Sequence, residues 1–237
     1  MRQITGALDT LNHNVDYARS LVRGNRFAGD MSWLRPGSAP VVLVHGFLGT
    51  RGTMLPLTRR FQGDGRAVFS YSHGPFQLRS LRASAETLLT QLHALSEELH
   101  GDRVDVVGFS MGGLMVLQAL QFMQGHRYIR RLALLGVPLL GTWTGLAGVA
   151  AFGLVSPSVW QVLPNSRFLA QLRDGPIPPS TRVRQIYASD DALCPVAPRL
   201  EGVASDDYLV LPGGHSSLVV AQPFYAKVRE FLDGADG

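Results

Sequence analysis

At 237 residues the chain is the size of one α/β domain, and 46% apolar with 17% charged residues excludes a disordered polypeptide. Its 22 Lys+Arg against 18 Asp+Glu give a formal charge of +4, but Lys227 is the single lysine and the arginines are scattered, so no basic stripe marks a nucleic-acid surface. The single cysteine, Cys194, excludes an internal disulfide and suits a reducing compartment.

In chain order, no apolar run of signal-peptide type follows Met1, so a cytoplasmic protein is expected. Residues 1–38 read as an N-terminal arm. Ile4, Leu8, Leu11, Val15, Ala18 and Val22 recur at steps of four and three, the seam of an amphipathic helix, and Arg35-Pro36-Gly37-Ser38 is its linker to the core. That seam suits packing on the domain, a membrane surface or a second copy of the chain, and the oligomeric state stays open with it.

The domain proper is expected over 39–237. Six short apolar runs have the uncharged, β-branched character of strands buried on both faces: 40–45, 67–71, 104–109, 131–137, 183–188 and 208–211. Helices are expected between and after them, over 53–62, 78–99, 111–124, 166–173 and 224–232. The longest carries Leu78, Leu81, Ala85, Leu88, Leu89, Leu92, Leu95 and Leu99 on one face and stops before Gly101. Strand and helix in alternation predict an α/β fold with a mostly parallel sheet covered on both sides and its chemistry at the carboxyl ends of the strands. From Leu132 to Val155 the apolar content is that of a spanning helix, but Pro138 and glycines 136, 141, 145, 148 and 153 interrupt it.

The third run leads into Gly108-Phe109-Ser110-Met111-Gly112-Gly113, a Gly-x-Ser-x-Gly pentapeptide between a strand and a helix. Such a turn holds its serine in a cramped backbone geometry and needs residues without bulk at Gly108 and Gly112. A serine hydroxyl needs a base, and His215, in Gly213-Gly214-His215 directly after the last strand, is the histidine able to reach it; His126 lies too close to the helix that follows the turn. The imidazole in turn needs a carboxylate, expected at the end of the preceding strand, where spacing alone leaves Asp190 and Asp191 equal. His45-Gly46-Phe47 follows the first strand, where backbone amides of Phe47 and Met111 would form an oxyanion hole.

These residues, His45-Gly46-Phe47, Gly108 to Gly113, the turn from Asp191 to Pro195 and Gly214-His215, resemble the lipase and esterase branch of the α/β-hydrolases in their order over 40–233. The resemblance implies the α/β-hydrolase fold of a compact lipase and a Ser110, Asp191, His215 triad, with Asp191 preferred by its four-residue spacing to Pro195. It implies a packed, unreactive Cys194, no cofactor, no metal, and an ester or lipid as substrate. Gly136-Val137-Pro138-Leu139-Leu140-Gly141-Thr142 also looks like a stretch of true lipases, with apolar Val137 and Leu139 where polar residues are usual. Residues 142–165, uncharged and rich in glycine, are expected either to form an apolar lid that binds the acyl chain through Leu146, Phe152 and Trp160 or to be a buried helix. The lid, like the N-terminal arm, would be the route to a membrane surface. A thioesterase or acyltransferase with the same triad, or a binding protein on the same fold, are the alternatives to an ester hydrolase.

Overall fold

The computed structural model describes residues 39–47, 49–71, 79–142 and 157–234. The expected N-terminal arm, Leu78, Leu146 and Phe152 lie outside the described residues. Six strands, β1 (Val41–Val44), β2 (Val68–Ser70), β3 (Val104–Phe109), β4 (Ile129–Leu135), β5 (Arg182–Ala188) and β6 (Tyr208–Leu211), form one sheet in the order β2-β1-β3-β4-β5-β6. Every pairing is parallel. The chain leaves β1 towards one edge and returns to its other side as β3, so the β1/β3 boundary is the switch point where such sheets open a crevice.

Alternation along each strand builds two cores. Val42, Val44, Val106, Leu132 and Leu134 pack with α2 (Leu81–Glu98), α3 (Met111–Phe122) and α5 (Arg167–Asp174). Val41, Leu43, Val107, Ala133 and Leu135 pack on the opposite face with α1 (Leu55–Gly63), α6 (Ser217–Val220) and α7 (Gln222–Asp233). The apolar seam of α2 is buried at Leu81, Ala85, Leu88 and Leu92, as its spacing requires. Ser80 Oγ starts that helix by accepting from the amide of Ala83 at 3.2 Å.

The elements differ from the sequence expectations mainly at their ends. α1 starts at Leu55, after a 3-10 turn at Arg51–Met54 that Thr50 caps. β4 ends at Leu135 because Gly136 takes a φ of +54°. Two short helices, α4 (Pro157–Gln161) and α6, were not expected, since four or five residues are too few to display a helical period. The start of the apolar run at Leu132 is strand β4, and among the described residues no helix is long and apolar enough to cross a membrane.

Charges gather at the amino ends of the strands. Asp105, fully buried near the start of β3, accepts from Arg66 Nη2 at 2.6 Å and from Arg130 Nε and Nη2 at 2.9 and 2.7 Å. Arg66 reaches on to Asp233 of α7 at 2.8 Å, and Arg131 Nη1 donates to the carbonyls of Phe231 and Leu232, each at 2.8 Å. The network ties β3 and β4 to the last helix. Removing Asp105 would leave Arg66 with Asp233 alone and take from Arg130 the buried carboxylate it donates to twice, a loss of about 3–5 kcal/mol. In urea unfolding, Asp105→Ala should lower stability by that amount, and a change below about 1 kcal/mol would show the network to be a solvated one.

Candidate active site

β1 and β3 are neighbours, with Val44 paired to Gly108, so the loops that follow them leave the sheet side by side. Ser110 occupies the turn into α3 with φ +54° and ψ −130°, a conformation that costs a residue with a side chain of order 1–3 kcal/mol. Its backbone is clamped: the Ser110 amide donates to Leu135 O at 2.8 Å, and the Gly113 amide donates to Ser110 O at 3.0 Å. A Cβ on Gly112 would run into the carbonyl oxygens of Val44 and His45, and one on Gly46 would stand 2.9 Å from Ser110 Cβ. Glycine is therefore what lets the two loops touch. The start of α3 also leaves the Met111 amide without an intrahelical acceptor, beside the serine.

The same approach brings the His45-Gly46-Phe47 segment against Ser110, with Phe47 half-buried. His45 itself is buried, and its Nδ1 pairs with Gly46 O at 3.0 Å. Burial above all, opposed by the Gly46 contact and assisted by Arg51, lowers its pKa from 6.5 to about 4. It is a neutral support of the loop.

At the other side of the turn, His215 Nδ1 lies 2.6 Å from Asp191 Oδ2. Asp191 Oδ1 accepts from the amides of Leu193 and Cys194, both at 2.9 Å, so both carboxylate oxygens are engaged and the group is buried. Asp190 is exposed and bonds elsewhere: its amide donates to Gly213 O at 2.9 Å and its Oδ2 accepts from the Gly213 amide at 3.3 Å. Spacing alone left the two aspartates equal and the family resemblance preferred Asp191; in the turn Asp191 faces the imidazole and Asp190 tethers the histidine's loop. The His215 ring packs on Phe109, the residue before Ser110, at 4.7 Å between centroids. Gly136, just past β4, lies beneath this pair, and a Cβ there would stand 3.3 Å from Asp191 Oδ2 and 3.5 Å from His215 Nδ1.

Cys194 is the residue whose place the sequence did not reveal. It is buried, as expected of a packed thiol, but its Sγ is 3.7 Å from Ser110 Oγ. Its position three residues beyond Asp191, on the turn that the carboxylate closes, was the available signal. Burial disfavours a charged His215, while the charges of Cys194 and Asp191 and their hydrogen bonds favour it by more, so its pKa is pushed up.

The segment expected as a lid is anchored at both ends, since the Thr142 amide donates to Val162 O at 3.1 Å. Trp160 is 53% exposed on α4, and its neighbour Gln161 accepts from the first amide of α2 at 2.7 Å. Leu140, Leu193 and Val196, in the loops after β4 and β5, are exposed too.

A family model described as the alpha/beta hydrolase family matches residues 41–231, most of the chain and every strand of the sheet. The chain belongs to the alpha/beta hydrolase family. Among solved structures, this alpha/beta hydrolase is similar to the mature form of the Bacillus licheniformis lipase BlEst2, with a TM-score of 0.68 and 16% identity over 88% of this chain and 95% of that one. The propeptide form of the same lipase matches with a TM-score of 0.67 and 16% identity over 90% of this chain and 53% of that one. Aspergillus fumigatus lipase B matches with a TM-score of 0.65 and 18% identity over 85% of this chain and 54% of that one. The alpha/beta hydrolase described here thus spans about half the length of the last two, and at these identities the likeness is one of fold. No curated protein matches the chain.

His45 makes a stability prediction. Its folded pKa lies below the unfolded one, so the stability its neutral form contributes is complete above pH 6.5 and lost as pH falls towards 4. The loss should reach about 3 kcal/mol. Urea midpoints between pH 7 and 4.5 should therefore fall more steeply in the native chain than in His45→Gln; parallel slopes would mean that His45 is solvated.

Proposed function

We propose that this protein is a serine hydrolase that cleaves carboxylic esters with apolar acyl groups through an acyl-enzyme on Ser110. The observation that carries the proposal is the strained Ser110 turn set between the His45-Gly46-Phe47 loop and the Asp191–His215 pair at 2.6 Å. Backbone strain of this kind clusters at active sites, which supports the reading.

In this mechanism neutral His215 takes the Ser110 proton as the oxygen attacks the ester carbonyl. Asp191 holds the ring and balances the imidazolium. The amides of Phe47 and Met111 receive the developing oxyanion, each stabilising the transition state by about 3 kcal/mol. His215 then returns its proton to the leaving alcohol, and a water that it activates frees the acid and restores the serine. An apolar acyl group suits the exposed Leu140, Leu193 and Val196 beside the site and the proposed contacts with Leu146, Phe152 and Trp160. It also suits the similarity in fold to two lipases. The chemistry calls for no cofactor.

A fluorophosphonate probe should label the native chain once, and Ser110→Ala and His215→Ala should both abolish labelling. On nitrophenyl esters from short to long acyl chains, either substitution should lower kcat by at least about a thousandfold. Labelling that survives Ser110→Ala, or acyl thioesters turned over far faster than oxygen esters, would overturn the reading. Because turnover needs the neutral imidazole and the His215 pKa is raised, kcat/KM should climb with pH through a value above 6.5; a rising limb at or below 6.5 would contradict it. Gly136→Ala, whose Cβ would run into Leu218 Cδ1 and stand 3.3 Å from Asp191 Oδ2 at a φ of +54°, should displace the Asp191–His215 pair and lower kcat on the order of a hundredfold, measured against a fold checked by circular dichroism.

A further inference from the structure

Three kinds of metal donor converge at the end of β5. Asp191, Cys194 and His215 each bring one ligand atom to within 4.8 Å of the others, and Cys194 Sγ is also 3.7 Å from Ser110 Oγ. Both the thiol and the carboxylate are buried. We propose that this cluster is a binding site for a thiophilic divalent ion such as zinc, and that its occupation switches the enzyme off. The inhibitory half rests on the reading of Ser110 as nucleophile and His215 as base; the binding half does not.

The donor set chooses the ion. A thiolate beside an imidazole suits zinc and cadmium, whereas magnesium and calcium take oxygen ligands. The local hydrogen bonds choose the atoms. Asp191 Oδ2 already holds Nδ1 of His215, which leaves Nε2 for the ion and makes the carboxylate the outer support that metal-bound histidines use. The amides of Leu193 and Cys194 fasten the other oxygen, so one turn fixes the thiol relative to the carboxylate. Cys194 Sγ and His215 Nε2 are then the principal donors, Ser110 Oγ is the third, and water completes four-coordination.

Binding forms bonds to Cys194 Sγ and His215 Nε2 and releases to solvent the one proton that the thiol and imidazole hold between them, with no change of oxidation state. Affinity therefore rises with pH. The ion occupies the imidazole lone pair that would otherwise accept the Ser110 proton, so binding and turnover exclude one another.

Cadmium serves as the probe because its bond to a thiolate absorbs in the ultraviolet, and Cys194 is the only thiol in the chain. Titrating the metal-free full chain should raise that band to saturation at one equivalent. Cys194→Ala and Cys194→Ser should lack the band, and His215→Ala should weaken cadmium binding by at least about tenfold. Zinc should inhibit ester turnover of the native chain reversibly, with activity recovered by a chelator. Whatever turnover either Cys194 variant retains should need at least about tenfold more zinc for the same inhibition. No band, or a cadmium affinity indifferent to His215→Ala, overturns the site. Zinc inhibition unchanged in both Cys194 variants overturns its inhibitory role. A saturating, His215-dependent band in a chain that hydrolyses no ester upholds the site and sinks the hydrolase reading instead.

Discussion

Everything at the candidate site depends on how closely the backbone after β1 approaches the backbone after β3. The carbonyls of Val44 and His45 press on Gly112, and Gly46 presses on Ser110 itself. Loops that meet through Gly46 and Gly112 can come that near, and once they have, the turn between β3 and α3 has little freedom left. The strained torsions of Ser110 follow from this crowding together with the amide bonds to Leu135 and Gly113. Parallel pairing of β1 with β3 makes the approach possible, because it sends both chains out of the sheet at the same end.

The sheet separates two uses of charge. At the amino ends of the strands, Asp105 with Arg66 and Arg130, and Asp207 with Arg182 and Arg184, pair completely and lock strands to each other and to the last helix. At the carboxyl ends the ionisable groups are few and closely matched: Asp191 and His215 face one another, with Cys194 beside them and the serine next to it. Buried pairs contribute little beyond geometry when intact, yet are costly to break. That asymmetry suits a scaffold whose task is to keep the opposite rim from shifting.

Much of this was legible from residue types and their order. Alternating apolar runs and helical periods sufficed for a mostly parallel sheet covered on both sides, because a helix between two strands returns the chain in the same direction. Ser110 and His215 stood out for the same reason: their flanking glycines and their places after strands are local signals. The choice between Asp190 and Asp191 was not local. The four-residue spacing to Pro195 favoured Asp191 only through the family resemblance; the physical difference is which carboxylate the amides of Leu193 and Cys194 hold. Cys194 shows the limit most clearly. Its burial was expected from the family resemblance, but its nearness to Ser110 depends on the β5 turn meeting the Ser110 turn across the intervening β4, a contact between residues 84 apart in sequence. The two shortest helices escaped notice because a single turn has no period to detect.

The hydrogen bond between Thr142 and Val162 closes the base of the segment that separates β4 from α5. A segment that departs and returns through one point can lengthen or shorten at an entropic cost that grows only with the logarithm of its length. The sheet and the Ser110 turn would register such changes weakly. A change of length there would fall on the segment itself, because the closing bond between Thr142 and Val162 leaves the ends of β4 and α5 where they are.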